Sequence, residues 1–202
     1  MANLIVYYAH PGNRFSQANK AMAVAARDVQ GISFVDLYAE YPRFNIEIDR
    51  EQQRLLEHDV IVFQFPLFWY STPSLIKEWQ DLVLEHGFAY GAGGDKLRGK
   101  RLLTAVTAAS DREVFMSEGC EHNAIRTFMK PLERTARLCR MKFAAPYVLY
   151  GSLLAPEDGR LMTHVLGYKA LLEAIRDDRY DFDANADGEI ECGSQLPVAQ
   201  EV

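Results

Sequence analysis

The sequence predicts an α/β fold, a five-stranded parallel sheet with helices on both faces. Three observations carry this. Strand-like and helical stretches alternate about five times. The strand-like runs are apolar almost throughout rather than at every second residue, as in strands buried on both faces. The first run also stops abruptly at His10-Pro11-Gly12 and is followed at once by a Ser-led helical stretch, the punctuation of a strand's carboxyl end in such folds.

Taken in order, Asn3–Ala9 is the first strand. Ser16 to Asp28 has helical spacing at Ala18, Ala21, Met22, Ala25 and Ala26, with Ser16 as N-cap. Ile32–Leu37 is a second strand. Tyr38–Ile48 is a loop containing Pro42, and Asp49 caps a short helix over 50–57. Val60–Phe65 is a third strand, stopped by Pro66. Thr72-Pro73 opens a helix with Leu75, Ile76, Trp79, Leu82 and Val83 on one face, ending near Gly87. Phe88–Gly99 is a Gly-rich loop, and Arg101–Thr107 is a fourth strand. A loop of a dozen or so residues leads to a helix near Glu121–Leu138. Phe143–Tyr150 is a fifth strand interrupted by Pro146, and Leu161–Ile175 is the last helix. From Asp177 to residue 202 the chain loses periodicity and turns polar and acidic, which reads as a mobile tail after a single domain over 1–176.

Five such strands with an anion-binding turn after the first match the flavodoxin-like order 2-1-3-4-5. The ligand site of that order lies between strands 1 and 3, and the loops after strands 1, 3 and 4 meet at one rim.

Composition narrows the classes. The 202 residues are 49% hydrophobic and 25% charged, ordinary for a soluble globular chain, with a net charge of −6. That acidic balance argues against nucleic-acid binding. No apolar run suggests a membrane span, and the first residues lack the basic start and cleavage site of a signal peptide. Cys120, Cys139 and Cys192 form no CxxC and no zinc pattern, so they read as reduced thiols of a cytoplasmic protein.

The rim loops carry the chemistry. In the first there is no GxGxxG, so the classical dinucleotide turn is not indicated. Instead His10 ends the strand, Arg14 lies in the loop, and Ser16, Gln17, Ala18 and Asn19 open the helix. A hydroxyl, an amide, positive charge from Arg14 or His10, and the free N–H groups of a helix start suit a phosphate monoester. In the second, Leu67, Phe68, Trp69 and Tyr70 follow the third strand. Trp and Tyr carry polar atoms that a core satisfies poorly, and at a rim their rings form a wall for a flat ligand, or pack against a second subunit. In the third, Thr107, Ala108, Ala109 and Ser110 are small enough for close backbone approach to a ring.

With these loops in place, the chain resembles the flavodoxin-like NAD(P)H:quinone oxidoreductases, and within them the ancillary oxidoreductases of glutathione-gated potassium-efflux systems. The matching segments are YAHP (Tyr8–Pro11), SQANKAM (Ser16–Met22), DLYAEYPRFNIEIDREQ (Asp36–Gln52), DVIVFQFPLFWYSTPSLIKEW (Asp59–Trp79), HGFAYGAGG (His86–Gly94) and LRGK (Leu97–Lys100). The match runs to about Tyr150. The resemblance implies that His10 and Ser16–Asn19 hold the FMN phosphate and ribityl chain, that Leu67–Tyr70 line the isoalloxazine, and that Thr107–Ser110 close its other edge. It implies a homodimer with flavin near the interface, docking on the cytoplasmic side of a potassium/proton antiporter, and electrons passing from NAD(P)H to a quinone. No catalytic side chain is assigned, because the cofactor carries the hard chemistry. Two positions depart from the family. It usually reads TTGG where this chain has Thr107-Ala108-Ala109-Ser110, so any positive φ there becomes costly. It commonly has His where this chain has Phe65. These departures keep open a regulatory subunit with little turnover.

Other signals carry less. Asp183, Asn185, Asp187, Gly188 and Ile190 fall at EF-hand loop spacing, but position 12 is Ser194 rather than Glu, so no metal site is assigned. His122 and His164 read as ordinary histidines. Cys120 lies beside acidic Glu118 and Glu121, which argues against a nucleophile.

Overall fold

The first strand lies in the interior of the sheet because its residues are apolar on both faces. In the computed structural model, which describes residues 1–12, 16–116 and 124–198, β1 (Leu4–Tyr8) is buried at every position. It pairs in parallel with β2 (Ser33–Asp36) on one side and β3 (Val60–Pro66) on the other, with Ile5 opposite both Ser33 and Ile61. β3 pairs with β4 (Arg101–Thr107), from Val60 opposite Arg101 to Pro66 opposite Thr107. The order β2-β1-β3-β4-β5 is the expected one.

Alternate residues feed two cores. Ile5, Tyr7, Phe63 and Val106 face α3 (Ile48–Glu57) and α4 (Ser74–Val83), where Leu55, Leu75, Ile76 and Trp79 meet them. Leu4, Val6, Val62 and Leu103 face α1 (Gln17–Arg27) and α8 (Arg160–Arg176), packing on Met22, Ala26, Tyr168, Leu171 and Leu172. Among the described residues no helix is long and apolar enough to cross a membrane.

Several expectations need correction. The fifth strand is two pieces, β5 (Lys142–Phe143) and β6 (Tyr147–Leu149), both parallel to β4. Pro146 has no N–H to continue the ladder, so the strand breaks before it and resumes after it. The helix placed over Glu121–Leu138 is α6 (Ile125–Phe128) and α7 (Lys130–Leu138), with Pro131 in the opening turn of α7, where a missing N–H does no harm. The preceding loop contains α5 (Arg112–Met116). The Tyr38–Ile48 loop starts with α2 (Leu37–Glu40), capped by the Asp36 carboxylate accepting from the Ala39 N–H. Asp49 does not cap: α3 begins at Ile48, and Asp49 sits inside its first turn, where a carboxylate still favours the dipole. α4 ends at Val83, short of Gly87.

Residues 177–198, expected as a mobile tail, lie against the domain. Ile190 is fully buried and forms a parallel bridge to Tyr147, and Tyr180 is buried and bridges Val198. Single apolar anchors spaced through a polar segment give no periodic signal, which is why composition misreads it. The EF-hand-like carboxylates are committed elsewhere: Asp183 pairs with Arg101 at 3.1 Å, and Asp187 approaches Arg126 at 3.9 Å.

Candidate functional site

The carboxyl ends of β1, β3 and β4 and the start of α1 converge as the switch-point geometry requires. Ser16 is the N-cap of α1, its Oγ accepting from the Asn19 N–H at 3.2 Å. The first turn of α1 carries no acidic residue, so nothing competes with an anion for the positive end of its dipole. Gln17 is exposed at this end and Ala18 is buried beneath it. His10 lies beside it, nearly buried, with its ring edge-on to Phe68 at 5.7 Å.

His10 has a defined role in this geometry. Its Nδ1 accepts from the Gly12 N–H at 3.1 Å, so the ring proton resides on Nε2. Burial lowers its pKa below the ordinary histidine value. His10 therefore brings a neutral N–H donor to the pocket, not the positive charge that the sequence suggested. Arg14, the other cation of that loop, lies outside the described residues, as do Cys120 and His122.

Asn19 also ties the fold together at this point. Its Nδ2 donates to Thr107 Oγ1 at 2.6 Å, and its backbone carbonyl accepts from Gln64 Nε2 at 2.9 Å. Asn19 and Thr107 thus form the floor under the rim, tying α1 to β3 and β4. Gln64, a lone polar residue in the apolar run Val60–Phe65, was missed as part of this brace. A buried polar side chain inside a central strand was the available signal.

The second loop is a tight hairpin. Phe68 and Ser71 exchange both backbone hydrogen bonds at 3.0 Å, leaving Trp69 and Tyr70 as the two central residues with φ of 49° and 61°. That is the primed turn that normally requires Asn-Gly. It carries two bulky aromatics instead, a strained arrangement that presents them outward. Trp69 is 94% exposed and Tyr70 58%. Leu67, half-buried, ties this loop to the next through its N–H on the Thr107 carbonyl at 2.8 Å.

In the third loop Ala108 is buried, its N–H donating to Leu149 O and its carbonyl accepting from Ser152. Ala109 and Ser110 are exposed at the edge. Among the described residues none of Ala108, Ala109 and Ser110 has a positive φ. The backbone strain foreseen there is absent, and the strain sits on Trp69 and Tyr70 instead. Gly151 closes this corner: its φ is 58°, and a Cβ would lie 2.1 Å from Asp111 Oδ1.

Aromatic contact extends beyond the hairpin. Tyr70 lies 5.2 Å from Phe128, Phe128 6.0 Å from Phe115, and Phe115 5.7 Å from Tyr150, as ring centroids. Phe115, Phe128 and Tyr150 were not singled out in the sequence, since no local pattern links residues so far apart. A helix start free of acidic residues, a neutral imidazole donor and a wall of exposed rings suit a ligand with a phosphate at one end and a flat ring at the other.

Known proteins share this frame. The chain is 41% identical over 155 residues to a Bacillus subtilis protein named "Uncharacterized NAD(P)H oxidoreductase YrkL", covering 76% of this chain and 89% of that one. It is 42% identical over 147 residues to the glutathione-regulated potassium-efflux system ancillary protein KefG of Erwinia tasmaniensis, covering 73% and 80%. The crystal structure of general stress protein 14 from Treponema denticola in complex with FMN superposes with a TM-score of 0.78 at 29% identity, covering 86% of this chain and 99% of that one. The family model described as the flavodoxin-like fold matches residues 1–172, and on that match, the strand order and these relatives, the chain belongs to the flavodoxin-like family.

Proposed function

We propose that this chain is an FMN-dependent NAD(P)H:quinone oxidoreductase. The observation that carries the reading is the meeting, at one rim, of the α1 start, the His10 donor and the outward Trp69-Tyr70 hairpin. The α1 N–H groups and the Ser16 hydroxyl would hold the phosphate, with the neutral His10 imidazole as a further donor beside them. Trp69 and Tyr70 would stand beside the ring system and the acceptor that stacks on it, while Ala109 and Ser110 would border its far edge. Asn19, Gln64 and Thr107 keep these loops in register. FMN supplies, when bound, two-electron transfer from NAD(P)H to a quinone, giving NAD(P)⁺ and the hydroquinone.

The reading extends to a homodimer that is ancillary to a potassium/proton antiporter at the inner face of the cell membrane; the likeness to the potassium-efflux ancillary protein supports an ancillary role in potassium efflux. A second reading, a regulatory subunit with little turnover, is favoured by the side chains of Ala109 and Ser110 standing where the family usually has glycines.

The test is an absorbance spectrum between about 350 and 500 nm after incubation with FMN and gel filtration, followed by NADPH oxidation with a quinone. A retained flavin band and quinone-dependent oxidation support the enzyme. A flavin band without turnover favours the regulatory reading, and a protein that stays colourless removes the enzyme. Potassium efflux with and without the protein tests the antiporter association.

A further inference from the structure

The family match ends at residue 172, yet residues 187–191 reach back to the site's aromatic wall. The anchor is Ile190. It is fully buried, its N–H donates to Pro146 O at 2.9 Å, and its carbonyl accepts from the Val148 N–H at 2.8 Å. The residues on either side of it contact the two short helices that carry Phe115 and Phe128, α5 and α6. Glu191 pairs with Arg112 of α5. Gly188 O accepts from the Arg126 guanidinium at 3.3 Å.

Glu189 makes the most specific contacts. The four-residue helix α6 starts at Ala124, which offers no capping side chain. Its leading N–H groups are nevertheless paired. Arg126 N–H donates to Glu189 Oε1 at 2.5 Å, and Ile125 N–H donates to the Tyr150 hydroxyl at 3.0 Å. That hydroxyl in turn donates to Glu189 Oε2 at 2.8 Å. One carboxylate, remote in sequence, thus supplies the cap that the local sequence lacks. It also holds two members of the ring series: Tyr150 directly, and Phe128 through α6, against Tyr70 of the strained hairpin.

We propose that Glu189 is a positioning residue for the acceptor side of the site. Through it the C-terminal extension fixes Phe128 against Tyr70 and sets the aromatic wall that a flat, electron-accepting ring packs on. This rests on the site reading given above. Glu189 takes no part in the chemistry and acts through the Arg126 N–H and the Tyr150 hydroxyl.

The experiment compares full-length FMN-loaded protein with Glu189→Ala, Glu189→Gln and Tyr150→Phe. Hydrogen exchange is read over 68–71 and 125–128, and KM and kcat are read with a quinone. Glu189→Ala is expected to speed exchange in both segments by about fivefold, the size of a lost cap. It is expected to raise the quinone KM by a similar factor, with kcat within about twofold and FMN affinity, which also depends on Tyr70, lowered by no more than that factor. Glu189→Gln keeps one acceptor oxygen and is expected to recover most of the exchange protection. Tyr150→Phe, which keeps the ring and removes only the hydroxyl, is expected to move 125–128 in the same direction if Glu189→Ala does not fold. Unchanged exchange at 125–128 in the folded variants overturns the cap. Faster exchange at 125–128 with 68–71 and KM unaltered overturns its link to the wall. Wild-type protein that takes up no FMN refutes the proposed function instead, and the two exchange segments still decide the positioning role.

Discussion

The indole N–H of Trp79 donates to Oε2 of Glu51 at 3.0 Å inside the core, joining α4 to α3. The other carboxylate oxygen accepts from the Tyr41 hydroxyl and from Arg54 Nη1, both at 2.5 Å. Glu51 is fully buried, so every contact it makes substitutes for water. Two of the most specific segments of the sequence, Asp36–Gln52 and Asp59–Trp79, therefore meet at one carboxylate beneath the rim. Removing it leaves the Trp79 N–H and the Tyr41 hydroxyl without their carboxylate and Arg54 with only the more distant Glu40, at 3.4 Å. Glu51→Ala is expected to cost about 3 kcal/mol, and Trp79→Phe about 1–3 kcal/mol. Urea unfolding checks both, with the midpoint lowered and the slope unchanged.

The Phe68–Ser71 hairpin predicts a trade between stability and binding. Replacing Trp69-Tyr70 with Asn-Gly gives the turn the residues its φ values favour and relieves about 1 kcal/mol per position. The same change removes both exposed rings. Thermal unfolding of flavin-free protein is expected to move up, while FMN affinity falls by tenfold or so. A double variant that binds FMN as the wild type does places the ring elsewhere.

Ser16 tests the phosphate end. Ser16→Ala deletes the cap to the Asn19 N–H and is expected to cost about 1 kcal/mol. Ser16→Glu puts a negative charge where the phosphate is expected, and FMN retention after gel filtration is expected to disappear. Retention equal to wild type in Ser16→Glu removes the α1 start from the pocket.

His164 predicts an acid-side loss of stability. Its ring is buried against Tyr147, its Nδ1 pairs with the Glu191 carbonyl at 3.0 Å, and burial lowers its pKa to about 4. A depressed folded-state value means the unfolded chain takes up the proton first. The contribution is therefore intact above the ordinary value of 6.5 and is lost as pH falls toward 4, by up to about 1.4 kcal/mol per pH unit. Urea midpoints between pH 7 and pH 4.5 are expected to fall less steeply in His164→Gln.

The sheet was legible because its strands announce themselves by unbroken apolar runs, and α1 because Ser16 and its alanines carry both cap and period. The rim loops were legible because aromatics at Phe68–Tyr70 are out of place in a core. What was not legible is pairing over distance. The contact of Asn19 with Thr107, 88 residues away, cannot be seen locally. The charge state of His10 depends on burial by the completed fold. Glu189 sits in a stretch whose composition reads as solvated, although Ile190 beside it is a core residue.

Pro146 has one more effect. By breaking the outermost strand it leaves its own carbonyl and the N–H of Val148 facing outward at the sheet's border, and Ile190 takes both. An open border of this kind is a template on which foreign or identical chains can add themselves. Here the molecule blocks that docking line with its own terminal segment, so the same stretch that braces the pocket also guards against aggregation.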